Sequence, residues 1–195
     1  MTRIFRSALH FTKERLTRAI LKVKVLLGVI SQNAAIFEHI YRMRIWGTAE
    51  GEKYFSGEGS IEDVVKPYND FVGAYIKQHQ ITSVVDLGCG DFRASRMIDL
   101  GDASYIGVDV VKDVIRINSQ KYQSQRTRFL CLDIIHDELP EAELCLIKQV
   151  LQHLCDKDIQ GILAKLAKYQ HVLIMDGLVQ NNCQVNKDIK TGYQR

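Results

Sequence analysis

Apolar positions keep a helical period along the first third of the chain. They then give way to short β-branched runs. Leu16, Ile20, Val23, Leu27 and Ile30 recur at helical spacing, while Arg15, Arg18 and Lys22 share the other side. That spacing predicts an amphipathic helix over residues 11–30. A second helical pattern of Ile36, Phe37, Ile40, Tyr41 and Arg44 leads to Ile45-Trp46-Gly47. The flexible stretch Ser56-Gly57-Glu58-Gly59-Ser60 follows. Ser60 suits an N-cap, with Asp63 in the first turn of a third helix. Ile61, Val64 and Val65 start that helix, and Pro67 is expected to bend or restart it. Its apolar face runs through Tyr68, Phe71, Val72, Tyr75 and Ile76 to His79.

From residue 81 the pattern alternates. Strands are predicted at 82–87, 105–109, 128–133, 144–147 and 171–175. Between them lie helical patterns at 92–100, stopped by Gly101, at 112–122, and in a helix expected to be capped by Asp156, where Ile159, Ile162, Leu163 and Leu166 share a side. Strand alternating with helix is the pattern of an α/β domain with a parallel, doubly wound sheet. The chain divides into residues 1–35, a basic amphipathic helix, 36–80, a helical cap, and 81–195, a Rossmann-like domain.

Composition removes several classes. With 46% hydrophobic and 25% charged residues, the 195-residue chain is neither disordered nor collagen-like. Its net charge of +3 is too small to indicate a nucleic-acid protein. That charge is unevenly placed. Residues 1–30 carry seven basic side chains against Glu14 alone, a net +6, and the rest of the chain is net −3. Two readings of the first helix stand. It packs on the domain with a solvated basic face, or it lies on an anionic membrane surface through residues 11–30. The longest uncharged stretch there, 25–37, contains Ser31, Gln32 and Asn33 and is too short to span a bilayer. The five cysteines, Cys89, Cys131, Cys145, Cys155 and Cys183, form no CxxC pair and are odd in number, which argues against disulfides or zinc. A reducing, cytoplasmic setting is expected.

Chemistry concentrates at Val84-Val85-Asp86-Leu87-Gly88-Cys89-Gly90-Asp91. An apolar strand ends in a turn with two glycines, and a helix is expected to begin there and offer its N–H groups to a ligand. Asp109 ends the next strand about 20 residues on, where an acid takes ribose hydroxyls. A dinucleotide site wants G-x-G-x-x-G, but Arg93 stands at the third glycine position. Asp86 also sits poorly against pyrophosphate and suits a cationic cofactor.

These motifs resemble those of the class I S-adenosylmethionine-dependent methyltransferases of small bacterial type, over about residues 60–177. Asp86 to Gly90 is similar to the family's D/E-x-G-x-G motif, with Gly88, Cys89 and Gly90 at the cofactor. Tyr105 to Asp109 is similar to its second motif, where Asp109, followed by Val110, holds the ribose. Asp133 and Ile134 resemble its third, at the adenine amino group and ring. Leu146 to Leu154 resembles the fourth-strand segment, which contains Lys148, Gln149 and His153. Lys148 and Gln149 stand where many relatives carry an acid. His153 is the candidate catalytic base, and the family often keeps a His there as a brace. Ile45-Trp46-Gly47 and the loop 56–60 resemble the family's cap.

The resemblance implies S-adenosylmethionine as cofactor and methyl transfer to an O or N atom of a small molecule or glycan. It implies the sheet order 3-2-1-4-5 with strands 6 and 7 missing. Only 18 residues follow Gly177, so a C-terminally incomplete sheet is expected. Strand 171–175 is then an open apolar edge, prone to self-association. Two other readings remain, a non-catalytic binding module of the same fold and a nicotinamide-dependent oxidoreductase, the latter disfavoured by Arg93.

Overall fold

The computed structural model describes residues 2–177 and 187–193, with the backbone alone for 2–11. Cys183 and the polar stretch 180–184 lie outside the described residues. The chain runs α1 (Thr2–Leu26), α2 (Gln32–Met43), α3 (Glu62–Gln78), β1 (Ser83–Leu87), β2 (Ser104–Asp109), α4 (Lys112–Tyr122), β3 (Thr127–Cys131), β4 (Leu144–Lys148), α5 (Asp156–Lys165) and β5 (His171–Met175).

The five strands form one parallel sheet in the order β3-β2-β1-β4-β5. Chain order reverses beside β1, which pairs with both β2 and β4. Burial on both faces explains why β1 and β4 read as unbroken apolar runs. Val84, Val85 and Leu87 of β1 are fully buried, as are Leu144 to Ile147 of β4. On one face Val84, Tyr105, Leu144 and Leu146 pack with Tyr68, Val72 and Ile76 of α3 and Ile115 of α4. On the other, Val85, Leu87, Ile106, Val108 and Ile147 pack with Ile162 of α5, Leu166 and Tyr169.

Four local expectations are corrected. Residues 92–100 form no α-helix, only one 3-10 turn at Ser95–Met97. Phe92 is buried against Tyr105, Tyr122 and Phe129, with ring centroids 5.0–5.3 Å apart. That burial holds its backbone at φ +62°, a left-handed conformation no helix continues through. The glycine turn therefore has no α-helix N-terminus behind it. Ser60 does not cap α3. Its hydroxyl donates to the Gly57 carbonyl at 2.6 Å, closing a short turn, and Ile61 occupies the cap position.

Pro67 does not restart a helix, since α3 runs through it. Asp156 is the first residue inside α5 rather than its cap. The N–H groups of Cys155 and Asp156 are taken by Thr191 Oγ1 at 3.2 Å and Asp188 Oδ1 at 2.7 Å. A distant segment thus performs the capping that was expected locally.

Among the described residues, β5 pairs with β4 only, and Ile174 is 45% exposed. Backbone amides of β5 should therefore exchange faster than those of β1, which hydrogen–deuterium exchange measures. We expect association that increases with concentration in sedimentation velocity, through this edge. Leu146→Ala, in the fully buried centre, should cost about 2–5 kcal/mol in denaturant unfolding.

Candidate functional site

β1 delivers its last residues into a turn held by backbone and side-chain bonds together. Gly88 and Cys89 donate their N–H groups to the Val108 carbonyl at 2.8 and 2.9 Å. Gly88 lies at φ +84° and Gly90 at +55°, which favours glycine at both. Asn118, buried on α4, donates to the Gly90 carbonyl at 2.8 Å.

Asp109 closes this turn from the end of β2. Its Oδ2 accepts from Gly90 N at 3.1 Å and its Oδ1 from Val111 N at 2.9 Å. Burial pushes its carboxyl up to about 6 despite those two bonds, and Asp86 and Asp91 nearby add to the rise. Asp86 is deeper, 2% exposed. Its Oδ2 accepts from Ser95 Oγ at 2.5 Å and Tyr105 Oη at 2.6 Å. Burial raises its pKa too, and those two donors oppose the rise.

Asp133 follows β3, and its carboxylate reaches the connection between α1 and α2. Ser31 Oγ donates to it at 2.8 Å, Asn33 Nδ2 at 3.0 Å and Ile135 N at 3.1 Å. Both carboxylate oxygens are therefore engaged by protein donors. Ile134 packs with the apolar cluster on that face.

Lys148 and Gln149 stand at the end of β4. Lys148 Nζ donates to the Gly59 carbonyl at 2.7 Å and to Gln149 Oε1 at 2.8 Å. Burial lowers the Lys148 pKa, opposed by Asp86 and Asp176. Gln149 lies at φ +54° and donates its N–H to the Met175 carbonyl at 2.6 Å. Its amide fills the space beside Gly59, where a Cβ would collide with it.

His153 follows on a 3-10 turn, Leu151–His153. Its Nδ1–H donates to the Tyr193 carbonyl at 3.2 Å, which leaves Nε2 as the unprotonated nitrogen, 3.4 Å from the Gln152 amide nitrogen. Burial lowers its pKa, so the ring is neutral at neutral pH. Trp46 tilts against it with centroids 5.0 Å apart and also meets Tyr41 at 5.1 Å. Trp46 is thus half-buried packing and cavity wall at once.

The segment before α3 roofs the turn. Asp91 N donates to Ser56 Oγ at 2.8 Å, and that hydroxyl bonds Tyr41 Oη at 2.9 Å. A Cβ on Gly90 would strike Ser56 Oγ and come within 3.2 Å of Tyr41 Oη. Enlarging Gly90 therefore meets the roof of the protein itself, where sequence reasoning expected the cofactor.

One cavity of about 560 Å³ joins these parts. Asp86, Gly88, Cys89, Gly90, Asp109, Val110, Asp133, Ile134, Lys148, Gln149 and His153 all line it. The structure thus brings together every site residue named from the sequence. It adds Asn33, Tyr41, Ser56, Asp91 and Gln152. Ser56 belongs to the glycine-rich stretch already singled out, whereas nothing in local pattern distinguishes Asn33, whose contact with Asp133 spans 100 residues. Five acids face the cavity, Glu58, Asp86, Asp91, Asp109 and Asp133, against the single cation Lys148 among the lining residues. That balance suits a positively charged ligand and opposes pyrophosphate. Arg93, at the position of a third glycine, lies outside the lining and pairs with Asp91 at 3.4 Å. Among the described residues no cluster of acids, cysteines and histidines is arranged for a metal ion.

A family model described as a methyltransferase domain matches residues 84–171, from β1 to the start of β5. That stretch of the chain is similar to a methyltransferase domain. The methyl donor of this class is S-adenosylmethionine, and the acid-lined cavity at the ends of β1, β2 and β4 fits such a cation. Among solved structures, the chain is similar to magnesium protoporphyrin IX methyltransferase (ChlM) from Synechocystis PCC 6803 with bound SAH. The two share 15% identity, over 81% of this chain and 71% of that one, with a TM-score of 0.50, a likeness of fold. The methyltransferase domain of bacterial CtHen1 aligns at 17% identity over 56% of this chain and 64% of its own, TM-score 0.49. The plantazolicin methyltransferase BpumL, in complex with a monoazolic desmethylPZN analog and SAH, aligns at 17% over 84% and 59%, TM-score 0.47. The chain spans less than two thirds of the length of these last two. No curated protein matches it.

Gly90→Ala should cost about 1–3 kcal/mol in thermal or denaturant unfolding, through the collision at the roof. Adding Ser56→Ala removes the obstructing oxygen and should recover part of the loss. Equal stability of the single and double variants would show that the roof is not what Gly90 accommodates.

Proposed function

We propose that the chain binds S-adenosylmethionine in the cavity between β1, β2 and β4 and methylates an O or N atom of a small molecule or glycan. The observation that carries this reading is the pair of groups at the strand ends. Asp109 is buried and held in place by Gly90 N and Val111 N, while still lining the cavity. A carboxylate positioned in this way has lone pairs left for two neighbouring hydroxyls, as a ribose presents. Asp133 and Ile134 form the adenine end, with the amino group sharing the Asp133 carboxylate with Asn33. Gly88, Cys89, Gly90 and Val110 form the wall between, and Lys148 and Gln149 close the far end. S-adenosylmethionine supplies the methyl group when bound. What the chain supplies is orientation of donor and acceptor and exclusion of water by the roof of Tyr41, Trp46 and Ser56.

His153 is the base we assign for a hydroxyl acceptor. Its Nδ1 is committed to the Tyr193 carbonyl, so Nε2 is the atom free to take a proton. Replacement of the usual acid by Lys148 favours the second reading, a module that binds the cofactor without turning it over. Calorimetric titration with S-adenosylhomocysteine, followed by turnover against hydroxyl and amine acceptors, separates the two.

Asp109→Ala should weaken S-adenosylhomocysteine binding at least about tenfold, since hydrogen bonds to a charged carboxylate are lost. Binding within twofold of the parent overturns the ribose assignment. Because burial raises the Asp109 pKa to about 6, the carboxylate is ionised above that pH and protonates below it. Affinity should therefore be level above about pH 6 and fall as pH drops through it.

His153→Ala should lower kcat by about 10²–10⁴ while the dissociation constant for S-adenosylhomocysteine stays within twofold. A drop in melting temperature with both parameters impaired identifies a brace instead.

A further inference from the structure

Among its described side chains, from Thr12 on, the N-terminal helix touches α2 along one side. Successive residues of an α-helix turn by about 100°. On that projection Thr17, Leu21 and Val25 share the side laid against α2, and Leu21 is buried there. Arg18 Nε donates to His39 Nε2 at 3.4 Å, and Lys24 meets Glu38 at 3.5 Å. Glu14, the single acid among residues 1–30, turns to the same side. It pairs with Arg18 at 2.7 Å and lies 4.0 Å from His39.

The opposite side carries the apolar stripe. Leu16 is 61% exposed, Ile20 45% and Val23 53% on the helix, and Leu27, 72% exposed, and Val29 continue it past the helix end at Leu26. The side expected from the sequence to pack on the domain is thus the side turned away from it. Basic residues border the stripe on both edges, with Lys13 and Lys24 on one and Arg15 and Lys22 on the other. No helix of the described residues is long and apolar enough to cross a membrane.

We propose that α1 is an in-plane membrane anchor whose Leu16-Ile20-Val23-Leu27 stripe enters the headgroup–acyl boundary of an anionic bilayer. A contiguous exposed aliphatic stripe marks an interaction surface. Its two cationic borders identify the partner by charge. A side chain that sinks between them leaves Lys and Arg at the depth of acidic headgroups. A second copy of the chain fits less well, because an identical helix brings the same cationic borders face to face. The helix leads directly into Ser31 and Asn33, which hold Asp133 at the cavity wall, so a docked α1 keeps the cavity at the membrane surface.

Flotation of the full chain with phosphatidylcholine vesicles, with and without phosphatidylglycerol, tests this by a readout independent of methyl transfer. The chain should float with the anionic vesicles and not with neutral ones. Leu16→Ser with Ile20→Ser should abolish flotation, and the pair Lys13→Gln and Lys22→Gln should weaken it about fivefold per residue. All four residues are exposed, so the melting temperature should be unchanged and loss of binding cannot be loss of fold. Absence of flotation with anionic vesicles overturns the proposal. So does binding that survives the serine substitutions, which is adhesion by charge alone. A dimer in sedimentation that the same serine substitutions dissociate also overturns it, in favour of a second copy.

Discussion

The site depends on a buried carboxylate shared between two strand ends. Asp109 closes β2, and its oxygens hold Gly90 N of the turn after β1 and Val111 N of its own strand's exit. Removing an ionised carboxylate from water is unfavourable, which is why its pKa rises to about 6. Two backbone donors offset part of that cost and leave the remaining lone pairs for a ligand. The turn conformation, the Val108 contacts of Gly88 and Cys89, and the Asn118 bond to Gly90 all lie within this one junction. A cavity wall built this way is stiff before any ligand arrives, which lowers the ordering cost of binding.

Asp86 has a structural role beside its place on the cavity wall. It is bonded to Ser95 and Tyr105 and almost sealed, so it ties β1 and β2 to the 3-10 turn that replaces a helix. The missing helix matters chemically. The cationic donor proposed for this cavity gains nothing from the positive end of a helix dipole. Acids supply the field at this cavity, and Lys148, the one cation among its lining residues, is occupied with Gly59 and Gln149.

The N-terminal segment joins the site through polar contacts as well as through packing of Tyr41, Phe37 and Trp46 near Val110 and Val111. Ser31 and Asn33 reach Asp133, and Ser56 and Tyr41 roof Gly90. Among its described side chains, helix α1 buries few large aliphatic groups on the protein. Leu21 is buried while Leu16, Ile20, Val23 and Leu27 face outward. An amphipathic pattern specifies that a helix has an apolar side, but the element it covers is specified by what stands opposite in space. Here the body-facing side is the one that satisfies Glu14 and Lys24 as ion pairs with partners on α1 and α2.

Local pattern determined the parallel sheet, its strands and the residues at their ends. β-branched runs, glycine turns and acids at strand termini are short-range signals, and α4 and β5 begin and end where those signals place them. Eleven residues named from such signals and from the family resemblance line one cavity because a parallel sheet brings its strand ends to one edge. Tertiary structure decided what depends on contacts distant in sequence. Burial of Phe92 among Tyr105, Tyr122 and Phe129 overrode the helical pattern of 92–100. Thr191 and Asp188, not Asp156, satisfied the start of α5. The roof over Gly90 came from Tyr41 on α2 and Ser56 in the segment before α3, and Asp133 found Asn33 of α2 100 residues away, with no local signal of either pairing. The orientation of α1 belongs with these, since helical periodicity gives a face its chemistry but not its neighbour.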